Sequence, residues 1–404
     1  MQGRNGAIQE RMLLYTEIAE ETMKFLITPD SLKGSLCAAD AALCIAKACR
    51  RVFPDCETLL LPGGDGGEGT LDALKAAWGE SARFDFVPVK GLQGNEITAP
   101  ILLCGKKAAV ESARAAGLPL PHEEKHILTA DSYGVGQMIL HAMDRGAKEI
   151  FVTLGGTGSD DGGLHMLTAL GMKAVDREGN PVPRGIEGLE KLHTVDFSAM
   201  DQRLKTVSLT VLSDVNNPLL GKTGATYIYA PQKGASPEML PRLESAMTHY
   251  ADVLEAALGR DIRTLPGSGA AGGMGAALLG VLNAQRKSGA DAVLDEMHYE
   301  KHLADTDLVF TAEGRMDAQS VQFGKFPARA ADRACKMNVP VIALVGGRTE
   351  DADAFHALGN TALFSICDGP ITLENAVARS AKLMEQAACN ALTVYKMGLK
   401  QHRG

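Results

Sequence analysis

Short, uniformly apolar runs punctuate the chain at residues 24–28, 58–61, 149–154, 207–212, 307–311, 339–345 and 361–366. They are too short for surface helices and show no polar alternation, which suits strands buried on both faces. Helical patterns lie between them. Residues 38–53 put Ala42, Ile45, Ala46, Cys49 and Phe53 on one stripe and leave Lys47, Arg50 and Arg51 off it. Strand and helix alternating in this way predict an α/β fold built on a parallel sheet.

The segments that follow the strands carry the chemistry. They read PDSLKGS, PGGDGGEG, GGTGSDDGG, SDVNNP, AEGRMDAQS, VGGRTED and CDGP. In a parallel sheet the carboxyl ends of the strands gather along one edge, where α/β proteins bind ligands. The loop at 62–70 sets five glycines around Asp65 and Glu68. Glycine is costly in entropy, and the two acids repel one another unless a cation sits between them. The expected return is one wall of a polar, anion-handling cleft.

Bulk composition narrows the class. With 404 residues, 45% of them hydrophobic, the chain can bury a large core and is expected to form two domains. The balance of 41 basic against 49 acidic residues, with no run of like charge, disfavours a nucleic-acid or anionic-membrane partner. The eight cysteines contain no CxxC pair and read as reduced thiols of a cytoplasmic protein. No apolar stretch approaches the ~18 residues needed to span a bilayer. Residues 1–22 carry several acids and no long apolar core, so they read as an N-terminal extension and not as a secretory signal.

Two nucleotide motifs fail on inspection. Gly267 to Gly272 matches GxGxxG, with Asp291 19 residues beyond, but the preceding Ile-Arg-Thr-Leu-Pro is a poor strand. What survives is a bare backbone loop running into a helix, in which Gly267 and Gly269 would leave amides open to phosphate. Neither Gly-Lys-Thr at 221–223 nor Gly324-Lys325 has the glycine a Walker loop needs: Asn216 and Gln319 stand there. The remaining set suits phosphoryl transfer, which needs cations for phosphate oxygens and carboxylates to hold Mg²⁺ and orient a hydroxyl. Glu313, Arg315 and Asp317 follow one strand, Asp214 ends another just before Asn216 and Asn217, and Lys33 and Lys325 sit in glycine-containing loops.

Eight ordered blocks, from MKFLITPDSLKGS at 23–35 to DLVFTAEGRMDAQSVQFGKFP at 307–327, resemble the bacterial glycerate kinases of the type-I family. ESARAAGL, APQKGA and PGSGAAGGMGAALL are among them. The resemblance implies ATP- and Mg²⁺-dependent phosphorylation of D-glycerate, with 2-phosphoglycerate as the product. It also implies a Rossmann-like domain assembled from both ends of the chain (23–85 and 265–404, with 127–175 also a candidate). An inserted α/β domain (86–264) would face it across the active site. By matched block, Asp30, Ser31 and Lys33 would line the cleft with Asp65, Glu68 and Asp161 nearby. Asp214, Asp317, Lys33 and Glu313 would act in catalysis, Asp214 and Asp317 also on the metal, and Lys325 would meet a phosphate or the glycerate carboxylate. Two positions depart from the family pattern: Asp160 stands where Asn is usual, and Asn216 where Asp is usual. The sequence leaves a homodimer open, and two competing readings as well: a kinase of a related hydroxy acid, and a nicotinamide-dependent hydroxy-acid oxidoreductase using the 267–272 loop.

Overall fold

The computed structural model describes residues 22–119 and 126–402. Nearly all of the expected N-terminal extension therefore lies outside the described residues. Thirteen strands form among them, in chain order β1 (Lys24–Ile27), β2 (Glu57–Leu60), β3 (Arg83–Lys90), β4 (Glu96–Cys104), β5 (Lys107–Glu111), β6 (Glu149–Thr153), β7 (Lys173–Val175), β8 (Thr194–Asp196), β9 (Ser208–Leu212), β10 (Gln285–Lys287), β11 (Leu308–Met316), β12 (Val341–Arg348) and β13 (Thr361–Ser365). All seven apolar runs are strands.

They assemble into two principal sheets. A five-stranded sheet in the order β13-β12-β11-β1-β2 is parallel throughout, as the apolar runs predicted. A six-stranded sheet, β10-β9-β6-β5-β4-β3, is parallel from β10 to β5 and ends in an antiparallel β3–β4–β5 meander. β7 and β8 form a small separate hairpin.

The first sheet draws on both ends of the chain and the second on the middle. Strand membership moves the expected boundaries. β3 begins ahead of residue 86, β10 lies beyond residue 264, and the 127–175 segment contributes β6 to the centre of the six-stranded sheet. Burial on both faces also fails at the edges. β2 alternates exposed and half-buried positions, and Leu59 is 40% exposed, because an edge strand has only one neighbour to cover it.

Helices cover both faces of the five-stranded sheet. Helix Ala38–Val52 buries Ala41, Ala42, Ile45, Ala46 and Cys49 against β1, sharing a core with Leu383 and Leu392 of the last helix. On the opposite face one continuous core joins Leu26 and Val309 of this sheet to Leu102, Phe151 and Leu212 of the other. Leu74, Val293 and Phe326 pack between them from three helices. Each such fully buried side chain contributes about 1.5–3 kcal/mol of transfer free energy, so this shared core holds the two sheets in one arrangement.

Candidate active site

The carboxyl edges of the two sheets meet, and the glycine-rich loop is where they touch. Gly63 lies under Phe326: a Cβ there would stand 2.0 Å from its ring, so only glycine admits the aromatic side chain that begins helix Phe326–Lys336. Gly66 (φ +91°) presses on the carbonyl of Leu212, the last residue of β9, and its own carbonyl accepts from the Gly155 amide at 3.2 Å. The loop thus touches helix Phe326–Lys336 on one side and the ends of β6 and β9 on the other. Glycine is spent on close backbone approach, and Asp65 and Glu68 are carried along to the seam.

Around that seam the five-stranded sheet places three further groups. The Asp30 amide donates to Ala312 at 2.8 Å and the Gly63 amide to Pro29 at 2.8 Å, so the ends of β11, β1 and β2 continue as a ladder beyond the sheet. This sets Asp30 between Glu313 and Asp65. Its Oδ1 accepts the Ser31 amide at 2.7 Å. The turn Leu32–Leu36 carries the exposed Lys33 at its tip. Beyond β11, Asp317 caps helix Ala318–Gln322 by accepting the Ser320 amide at 2.8 Å, and Lys325 donates to the Ser320 hydroxyl at 3.1 Å.

The six-stranded sheet supplies the facing side. Asp214 follows β9, and its Oδ1 accepts the Gly289 amide at 3.1 Å. Lys33, Asp65, Glu68 and Asp214 line one cleft of about 380 Å³, together with the backbone at Gly155 and Gly156 and the side chain of Tyr229.

Crowding of acids shows in their protonation. Burial, then the charge of Asp65, raises the Asp30 carboxyl to about 7, against the pull of Ser31, Lys33 and Lys325. Burial also takes Glu313 to about 7, offset in part by Lys325, with Asp30 and Asp317 adding to the rise. Asp214 reaches about 6 through burial and the Asp65 charge, against the Ser288 hydroxyl. Asp317 differs. Its slight burial is outweighed by the Ser320 amide and by Lys325 and Arg315, which hold the carboxyl below its ordinary value. Asp65 is therefore the charge that Asp30 and Asp214 both feel, and it marks the middle of the group.

Other expected residues have different surroundings. Asp161 is fully buried and accepts the Ser132 amide and hydroxyl at 2.9 and 2.7 Å, pinning the loop after β6 to helix Tyr133–Asp144. Asn217 is spent on the Thr223 carbonyl and the Tyr229 hydroxyl. The amide of Gly269 donates to Asn217, and a Cβ on Gly269 would meet the Pro218 carbonyl at 2.2 Å. Gly267 packs on Arg286 and Val215. Here the glycines serve close packing, and the helix that follows is a three-residue turn running into a π-turn. Arg315 is exposed beside Asp317.

Three buried charged groups go beyond the sequence candidates. Lys233, 3% exposed, lines the cleft and donates to the Ser159 carbonyl at 2.5 Å. Asp160, the family departure, lies fully buried nearby with Oδ2 accepting from Thr226 at 3.3 Å and Oδ1 without a partner among the described residues. Burial lifts it to about 6, and Lys233 opposes that rise. Glu111, 1% exposed, faces Arg114 at 3.4 Å and is raised to about 7 by burial. Asn216, the second departure, is exposed.

The glycerate kinase family profile matches residues 25–396. The chain belongs to the glycerate kinase family. A protein of Escherichia coli K12 named glycerate 2-kinase is 40% identical over 381 residues, covering 94% of this chain and 99% of its own. A Bacillus subtilis 168 protein named glycerate kinase is 40% identical over 369 residues, covering 91% and 96%. A crystal structure from Salmonella typhimurium LT2, described there as a glycerate kinase 2, superposes with a TM-score of 0.82 at 40% identity, covering 94% of this chain and 100% of that one. Among the described residues no helix is long and apolar enough to cross a membrane.

Proposed function

We propose that this protein transfers the γ-phosphoryl group of ATP to the 2-hydroxyl of D-glycerate, giving 2-phosphoglycerate and ADP. The observation that carries the reading is the single cleft lined by Lys33, Asp65, Glu68 and Asp214 where the two carboxyl edges meet. Family membership and the E. coli relative's name support the acceptor and the 2-position. The eight unpaired cysteines support a cytoplasmic setting.

The residues fit a divalent cation that arrives with its nucleotide. Among the described residues no three His, Cys, Asp or Glu side chains form a metal cage. Mg²⁺ needs none, since one or two carboxylates plus substrate phosphates and water commonly hold it. Asp65 and Asp214 would hold it, in preference to the expected pair of Asp214 and Asp317. Asp317 is committed to capping a helix, whereas Asp65 and Asp214 repel each other in a way a cation would relieve. Bound there, Mg²⁺ would supply charge neutralisation at the phosphates.

The rest falls to the chain. Lys33 draws the transferring phosphoryl, and Lys325 holds an anionic oxygen of the acceptor. As the C2 oxygen bonds to phosphorus and the bond to the β-phosphate oxygen breaks, the hydroxyl proton passes to a carboxylate. Asp30, at about 7 between Lys33, Lys325 and Asp65, is best matched to that transfer. Phosphorus NMR of the product made from ATP, Mg²⁺ and D-glycerate tests the position: a 2-phosphoglycerate signal supports the reading, and a 3-phosphoglycerate signal overturns the regiochemistry while keeping the acceptor.

A further inference from the structure

The 380 Å³ cleft is small for a nucleoside triphosphate and an acceptor together, and a second, larger cavity opens beside it. This groove, about 840 Å³, runs between the 31–39 segment and helix Thr70–Trp78. It adjoins the cleft through two residues that line both, Lys33 and Glu68.

The two cavities differ in chemistry. The cleft is walled by carboxylates and glycine backbone. The groove is walled by Leu36, Ala38, Pro62, Ala73 and Ala76, which leave apolar faces, and it carries Lys75 and Arg114 alongside the acids Asp72 and Glu80. Ser35, also in its wall, has a buried hydroxyl with no partner among the described residues. An apolar slot with polar groups in its wall, joined at Lys33 to a cleft that handles anions, suits a planar heteroaromatic base attached to an anionic chain. A three-carbon hydroxy acid has no apolar face to place there.

We propose that the groove binds the adenosine part of the nucleotide, with the phosphate chain running past Lys33 and Glu68 so that its γ-phosphoryl enters the cleft where the acceptor sits. The proposal builds on the kinase reading above and adds the location of the donor. Lys33 stands at the junction of the two cavities, where the bond is made and broken.

Cys37 gives a readout that does not depend on turnover. It lines the groove and is exposed, whereas the other seven cysteines are buried or half-buried. Partial burial chiefly holds its thiol above the ordinary value, so iodoacetamide labelling is run at alkaline pH and followed by mass spectrometry of the peptide carrying Cys37. Saturating Mg–ADP is expected to slow that labelling about fivefold or more, by mass action on a covered site, and D-glycerate to leave it unchanged. In parallel, Ala76→Trp, at an exposed wall position, is expected to raise KM for ATP about tenfold with KM for D-glycerate within about twofold. Unchanged labelling by Mg–ADP in a protein that turns over glycerate, or an Ala76→Trp enzyme with both KM values unaltered, overturns the groove assignment and leaves the kinase reading standing. Protection of Cys37 in a protein without glycerate-dependent turnover upholds the groove and overturns the acceptor instead.

Discussion

Gly289 is in contact with the carbonyl of Asp65: a Cβ added to Gly289 would stand 2.1 Å from that oxygen. The same glycine donates its amide to Asp214 at 3.1 Å. One residue, the first of helix Gly289–Glu296, therefore sets the spacing of two acids that follow strands of different sheets. Gly289→Ala must push backbone against backbone. It is expected to cost about 1–3 kcal/mol of stability, as overpacking does, and to lower kcat more than a surface change of equal destabilisation. Thermal unfolding beside steady-state kinetics checks this, and a Gly289→Ala enzyme with native Tm and rate contradicts it.

Asp214→Asn separates function from folding. Asp214 is half-buried and repelled by Asp65, so neutralising it removes an unfavourable charge at neutral pH. The variant is expected to lose on the order of 10²-fold or more in kcat, while its Tm at pH 8 equals or exceeds that of the parent. A large fall in Tm would show that the carboxylate's role is structural.

The raised carboxyls make a signed prediction about pH. Asp30, Glu111 and Glu313 stand at about 7 and Asp214 at about 6, all above their ordinary values. Between roughly pH 4 and 7 the folded chain binds more protons at these groups than the unfolded chain, so their contribution to stability falls as pH rises through that window. Tm is expected to decline from pH 5 to 7.5, and less steeply in Asp30→Asn. Because a cation competes with those protons, Mg–ADP should raise Tm more at pH 8 than at pH 5.5. An equal or reversed gain speaks against carboxylate binding of the cation.

Lys233, in the cleft wall, and Asp160 are both buried. Removing only the lysine, as in Lys233→Met, leaves the Ser159 carbonyl without its donor and takes away the charge that opposes the rise of Asp160, and is expected to cost about 1–3 kcal/mol. Lys233→Met with Asp160→Asn should recover a good part of that loss. Denaturant unfolding of the four proteins in a double-mutant cycle measures the coupling, and purely additive losses would deny it.

The legible strands all pair in parallel sheet and each reads as a short apolar run, edge strand β2 included. β3 was not, since Arg83 to Lys90 mixes charged and apolar residues and carries Pro88, as an outer antiparallel strand does. β10, Gln-Arg-Lys, has no apolar residue at all and pairs only at an edge. In the site, Lys33, Asp65, Glu68 and Asp214 could be read from their place after strands, since topology alone brings strand ends together. Asp161 has the same kind of address, but its carboxylate turns inward to Ser132, and no sequence pattern tells a loop acid that faces solvent from one that ties the loop down. Lys233 escapes a reading of the sequence for the same reason: a buried ammonium is indistinguishable by spacing from a solvated one.

The most direct test follows ADP release from Mg–ATP by the purified protein with and without D-glycerate, in parallel with Asp214→Asn. The account predicts ADP release that requires D-glycerate and falls on the order of 10²-fold in the variant. ADP release indifferent to D-glycerate, or equal rates in the two proteins, would contradict it.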